Sequence, residues 1–312
     1  MQAEAEKKAM RLEQLGLLVK TYSADLELYA KLAEGLEKFN NDDLPIWVVV
    51  PDSDLGLFRD YESATVTVLP ESVLGQHLVT HKVLGIRPGY INQEIVKMAF
   101  WELGLTENYF AIDSDAVVLR PFGAADFLNP DGTPFTVLVE DRDLLVDPDY
   151  YQQHWIGREK SLRHIQREIG LDDPRLLTCH GHQIMSAKVW RSFKEEFMEP
   201  RGLSYADVLA IEPYEFSWYN FWLQKSSAID IHVREPLVKV IHNRGQHEEM
   251  LLRGITSEDY ARGYLALVVN SNFGTNAPQA SRFVGLAGYL SVKDLWSIFL
   301  VKLQGLIKRG SN

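Results

Sequence analysis

Tyr109–Leu119, YFAIDSDAVVL, is the stretch on which the reading of this chain turns. Four apolar residues lead into Asp113-Ser114-Asp115, and Ala116 to Leu119 restores the apolar character at once. A short, unbroken apolar run of this kind is the pattern of a strand buried on both faces. If the backbone stays extended through the polar break, residues i and i+2 face the same side, and the two carboxylates converge. Mg²⁺ and Mn²⁺ take carboxylate oxygens and keep open positions for water and phosphate. The competing reading is a solvated turn, since a D-x-D string is common in acidic chains; its placement between apolar strand residues favours the cation.

Outward from this point, apolar runs alternate with helical periodicity. Leu15–Tyr22 reads as a first strand, Ile46–Val50 as a second ended by Pro51, and Ala64–Leu69 as a third. A helix is expected over 25–39, with Leu28, Leu32 and Leu36 on one stripe and Ser23 or Asp25 as cap. Another is expected over 92–103, with Ile95, Met98, Ala99 and Leu103 on one face and Gly104 as its stop. Strands separated by helices imply an α/β protein with a mostly parallel, doubly wound sheet. Ligands of such sheets collect at the carboxyl ends of the strands. Further on, Phe135–Glu140, Ile229–Val233 and Leu237–His242 read as strands, and 185–198 and 215–224 as helices. Residues 141–178 read as polar and partly helical, without a pattern that sets element bounds.

The 312 residues are 46% hydrophobic and 24% charged, enough for a sizeable core. A formal net charge of −11 argues against a nucleic-acid partner, which calls for a basic field. A phosphate-bearing small molecule is still compatible, because a bound dication inverts the local field. With Cys179 alone, no disulfide forms within the chain, and the charged N-terminus lacks the apolar core of a signal peptide. No run of about 18 apolar residues is present. The expected location is therefore cytoplasmic.

Several blocks in a consistent order resemble bacterial GT-A glycosyltransferases, and the chain is similar to the family DUF6492 over roughly residues 15–250. The resemblance implies a GT-A-like (Rossmann-like) catalytic domain over 1–265. Its nucleotide-sugar part would span about 15–140 and its acceptor part about 141–250, with a helical extension over 266–312. It further implies transfer from a nucleotide-diphosphate sugar, UDP-linked by preference, to a hydroxyl of a glycan or glycolipid with Mn²⁺ or Mg²⁺. The block Val19–Tyr22 with Asp25 assigns Lys20, Thr21 and Tyr22 to the nucleotide. Gly89–Gln93 followed by Lys97 adds Gln93 and Lys97, and the third block gives Asp113, Ser114 and Asp115 to cation, ribose and diphosphate. Thr178–Met185 assigns His180, Gly181 and His182 to the acceptor side. Around Glu215–Tyr219, Glu215 takes the place of the acidic base of inverting enzymes, with Tyr219 and Trp222 as sugar-facing aromatics and Glu212 in reserve. Here Tyr214 and Asn220 depart from the family pattern. Val240–His247 supplies His242 as a third metal ligand and Arg244 as a phosphate partner.

Two other readings compete. Ile112–Val117 also resembles the signature of haloacid-dehalogenase-like phosphohydrolases, with Asp113 as nucleophile, although that signature belongs on a first strand. A non-catalytic binder of nucleotide sugars or glycans is the third. Residues 288–308 form an amphipathic pattern with Trp296, Phe299 and several lysines. It reads either as a packed helix or as a peripheral membrane contact near a lipid-linked acceptor.

Overall fold

A computed structural model describes residues 14–139, 148–179, 181–242 and 244–269. Among these, residues up to Leu26, Asn40–Ser114 and Phe122–Pro236 form one compact unit, and Glu27–Phe39, Asp115–Pro121 and residues from Leu237 onward form another.

The first unit is built on a five-stranded sheet in the order β3-β2-β1-β4-β7. Its strands are β1 (Leu15–Lys20), β2 (Ile46–Val50), β3 (Val66–Pro70), β4 (Asn108–Asp113) and β7 (Ile184–Ser186). The first four are parallel, and β7 closes the edge antiparallel to β4. All residues of β1 and β2 are buried, as the unbroken apolar runs require. β1 approaches β2 very closely at Gly16, where a Cβ would lie 2.1 Å from the Trp47 ring. The first three strands run outward one way from β1, and the chain then returns to place β4 on its other side. The sheet reverses direction between β1 and β4, the position at which doubly wound folds bind their ligands.

Helix α2 (Pro88–Ala99) carries Pro at its start, where no backbone N–H is needed. It passes into a 3-10 turn and stops at Gly104, whose φ of 64° only glycine adopts freely. The helix is anchored to β4 by the Tyr109 hydroxyl, which donates to the Lys97 carbonyl at 2.6 Å. Helix α3 (Pro148–Ile169) lies in the stretch read as polar and partly helical. Helices α4 (Ala187–Phe193), α5 (Tyr205–Ile211) and α6 (Glu215–Ser226) follow β7. Trp190, Phe193, Phe197, Trp218 and Trp222 pack together in the core of this unit. A separate parallel pair joins β6 (Phe135–Val137) to β8 (His232–Arg234), the latter three residues beyond its expected start.

The second unit holds helix α1 (Leu26–Phe39) and a three-stranded sheet of β5 (Ala116–Val118), β10 (Ala266–Val269) and β9 (Val238–Ile241). β10 is parallel to β9 and antiparallel to β5. Gly35 of α1 faces Val118 of β5, at 3.1 Å from the position of an added Cβ. Ile241, Met250, Tyr260 and Leu267 form a small core there, with helices α7 (Arg244–Leu252) and α8 (Ser257–Ala261). The expected extension from residue 266 opens with strand β10, and the amphipathic pattern over 288–308 lies outside the described residues. Among those described, no helix is long and apolar enough to cross a membrane.

The close approach at Gly16 makes a direct prediction. Gly16→Ala should lower stability by about 1–3 kcal/mol through overpacking against Trp47. Urea denaturation measures it; a variant as stable as the parent would show that β1 and β2 are not packed this tightly.

Candidate functional site

Parallel pairing of β1 with β4 sets Lys20 opposite Asp113, so both strands end at the point where the sheet reverses. Antiparallel pairing of β4 with β7 brings the segment before β7 alongside the end of β4, with the Ala111 N–H donating to the Gln183 carbonyl. Helix α2 and the start of α6 supply the remaining side chains. Four elements distant in sequence thus converge on one place.

At its centre is Lys97. Its ammonium lies 3.3 Å from Asp113 Oδ1, 3.2 Å from Glu215 Oε1 and 3.9 Å from Glu94 Oε2, and 5.0 Å from the centre of the Phe216 ring. Lys97 and Glu215 are buried and Glu94 is 3% exposed, whereas the Asp113 side chain keeps 34% exposure. Burial pulls the Lys97 pKa down, but Asp113, Glu94 and Glu215 outweigh it and hold the ammonium well above its ordinary value. Burial pushes the Asp113 carboxyl up, but the charge and hydrogen bond of Lys97 outweigh it and keep it below the usual range. Burial and the neighbouring Glu215 drive the Glu94 carboxyl well above its usual value. The centre therefore holds a fixed cation, an ionised Asp113 and, at Glu94, a carboxyl whose ionisation its surroundings oppose.

His182 closes the other side. Its Nε2 lies 3.4 Å from Asp113 Oδ2, and neither buried ring nitrogen has a hydrogen-bond partner. Its φ is 56°, in the left-handed region that costs a side-chain-bearing residue about 1–2 kcal/mol. Burial lowers the His182 pKa, and the imidazole is neutral near pH 7. A buried polar ladder holds the segment in place. The Thr178 hydroxyl donates to Ser217, the Asn220 amide donates to Thr178 and Cys179 Sγ, and the Gln183 amide donates to the Asn220 carbonyl oxygen. The Arg158 guanidinium donates to the Cys179 carbonyl and to Ser217, and stacks over Tyr214.

Several expected residues sit otherwise than the sequence reading supposed. The chain turns at Ser114–Asp115 instead of running extended, so the same-face argument for Asp113 and Asp115 does not apply to this backbone. The Ser114 hydroxyl instead donates to Asp25 at 3.4 Å. Asp113 and Ser114 belong to the first unit, Asp115 and His242 to the second. His242 is buried, and its backbone N–H donates to Gln246. The Lys20 ammonium is buried against Glu71 at 2.7 Å, so its charge is already neutralised, as that of Lys97 is. Thr21 is buried with its hydroxyl oxygen unpartnered, and Tyr22 is exposed beside it. On α2, the partner of Lys97 is Glu94, while Gln93 is half-buried. Gly181 has no positive φ and ample room for a side chain; the left-handed residue is its neighbour His182.

Tyr219 and Trp222 do not form a sugar-facing wall. The Tyr219 hydroxyl accepts the Ser186 N–H at 2.8 Å, and the Trp222 indole donates to Ser192 within the aromatic core. Glu212 pairs with His164 at 2.9 Å, which leaves Glu215 as the acid of this cluster. His180 and the Arg244 side chain lie outside the described residues. Glu94 and the Thr178–Gln183 ladder were missed. Glu94 had a legible signal, since positions 91, 94, 95 and 98 share one helix face and three of them are apolar. The ladder had none, because its members meet only in the folded chain.

A dication fits this donor set in part. Mg²⁺ is commonly held by one or two carboxylates with water and substrate phosphates completing its shell. Asp113 offers a partly exposed, ionised carboxylate, and Asp25 stands nearby with its pKa raised by burial and by the Asp113 charge, a repulsion that a cation relieves. Among the described residues, no group of three or more His, Cys, Asp or Glu side chains is arranged to hold a metal by itself.

The family model "Family of unknown function (DUF6492)" matches residues 14–252. No curated protein matches the sequence. Among solved structures, the apo form of mouse xyloside xylosyltransferase 1 is similar over 84% of this chain and 99% of that one, at 12% identity and a TM-score of 0.43. That likeness is too distant to bear on activity.

Removing the central cation should be severe. Lys97→Met is expected to cost about 3–5 kcal/mol in urea denaturation, since it strands buried carboxylates. The loss should shrink as pH falls into the acid range, where Asp113, whose pKa Lys97 holds down, takes up a proton in the parent as well. A pH-independent loss would mean that packing, not charge, is what Lys97 contributes.

Proposed function

We propose, from the premise that the chain belongs to the DUF6492 family of unknown function, that it is a glycosyltransferase using a nucleotide-diphosphate sugar. The observation that carries the reading is the pairing of Asp113 with Glu215 through the buried Lys97, at the point where a 3-2-1-4 sheet reverses. One carboxylate is partly open to solvent at the strand end, the other enclosed, and the two are held apart by a fixed cation. This arrangement suits a site where a charged leaving group is bound on one side and a proton is taken up on the other.

In this reading, Asp113 would hold Mn²⁺ or Mg²⁺, and such an ion would offset the charge of the departing diphosphate. Thr21 and Tyr22, at the end of β1, meet the nucleotide; the unpartnered Thr21 hydroxyl is a free hydrogen-bonding group at that edge. His182 presents a neutral imidazole beside Asp113 for a sugar hydroxyl. Glu215 accepts the proton of the acceptor hydroxyl as that oxygen attacks the anomeric carbon, which gives inversion. Lys97 holds Glu215 in register with Asp113 and contacts neither donor nor acceptor. The acceptor is a hydroxyl of a glycan or glycolipid, and the preferred donor is UDP-linked.

A thermal-shift screen of nucleotide sugars with and without Mn²⁺ tests donor and cation together, because ligand binding raises the melting temperature by mass action. Asp113→Asn should abolish the Mn²⁺-dependent shift. Glu215→Gln should keep the shift and lower transfer by about a hundredfold or more. Full transfer by Glu215→Gln removes it as the base. Donor binding without transfer or hydrolysis points instead to a binding protein, and phosphate release from simple monoesters to a phosphohydrolase.

A further inference from the structure

Glu94 is enclosed on α2 next to a cation that two other carboxylates already neutralise. Three ionised carboxylates around one buried ammonium leave two uncompensated negative charges, which a low-dielectric setting does not sustain. Solvent reaches Asp113, which needs no proton. Glu215 holds the direct bond from Lys97 at 3.2 Å, whereas Glu94 stands 3.9 Å from that ammonium. Glu94 Oε2 is buried with no hydrogen-bond partner, and after burial itself the Glu215 charge weighs most against its ionisation.

We propose that Glu94 is a positioning residue that keeps its proton and donates it in a hydrogen bond to Glu215. Lys97 binds one Glu215 oxygen, and the Glu94 hydroxyl fixes the orientation of the carboxylate as a whole. The groups facing Glu94 support this location of the proton. Tyr90 and Lys97 come from its own helix, Asp113 from β4 and Glu215 from α6, with His182 facing the same Lys97, Asp113 and Glu215 from the segment before β7. Lys97 is the only cation in that set; the Tyr90 pKa is raised from its ordinary value, and burial keeps the His182 ring neutral. The importance of orienting Glu215 rests on the transferase reading above, but the location of the proton does not.

The test therefore needs no sugar. A carboxyl whose folded pKa is raised stabilises the protein fully below its unfolded value of about 4.5, and that stability is lost as pH climbs towards the folded value. Glu94→Gln retains a neutral donor and removes this titration. Urea denaturation from about pH 5 to about pH 9 should show the wild type losing stability relative to Glu94→Gln, its unfolding constant rising up to about tenfold more per pH unit. Parallel curves overturn the proposal. Infrared spectra at neutral pH should contain a protonated-carboxyl band that disappears in Glu94→Gln and shifts in Glu215→Gln. If Glu94→Gln fails to fold, the Glu215→Gln spectrum decides, since a band unmoved there, or absent from the wild type, refutes the assignment. Transfer activity adds the functional arm: Glu94→Gln should stay within about threefold of wild type and Glu94→Leu should lose about tenfold in kcat with little change in KM. A chain with no transferase activity can still pass the first two measurements.

Discussion

One buried ammonium organises the candidate site. Lys97 gathers carboxylates from α2, β4 and α6, and each of those elements is held by its own packing. Pairs of this kind add little net stability, because desolvation consumes most of the Coulombic gain, but breaking one leaves a charge with nowhere to go. The cost is met by anchoring: the Tyr109 hydroxyl fixes the backbone of Lys97, and the Phe216 ring covers its ammonium. The cluster is therefore better understood as a device for fixing geometry than as a source of stability.

The second organising feature is the polar ladder along one side of α6. Ser217 and Asn220 sit in a helix otherwise filled with aromatic residues, and both are fully buried. Their partners, Thr178 and Gln183, bracket the segment that presents His182. The aromatic residues of the helix hold it in the core, while its polar residues determine where the neighbouring loop goes. Asn220 links two members of that ladder, accepting from the Gln183 amide and donating to Thr178.

How far the sequence foretold this depends on how local the information was. The four parallel strands of the main sheet are mostly apolar runs and form where the periodicity put them, whereas β7 occupies the point at which the helix over 185–198 was expected to begin. The three-stranded sheet was not foreseen, because β5 meets β10 only across about 150 residues of chain and no local pattern reports that pairing. Helix α3 was legible only as partly helical character without bounds, because it is long and mostly polar, with few residues to mark a buried stripe. At the site, Asp113, His182, Lys97 and Glu215 were legible as chemistry, and the structure brings them together. Glu94 stood one residue from a chosen position, Gln93, and was passed over. Tyr219 and Trp222 were misread because an aromatic residue one turn from an acid resembles a sugar platform and a core residue equally well.

His182 occupies backbone territory that favours glycine, directly after a glycine that does not need it. Exchanging the two residues would relax the main chain while moving the imidazole away from Asp113. The fold thus keeps the less comfortable order of two adjacent residues, and the tension resides in a loop held by buried amides. A protein selected for robustness alone would have little reason to retain that order; one that must aim a ring nitrogen at a carboxylate does.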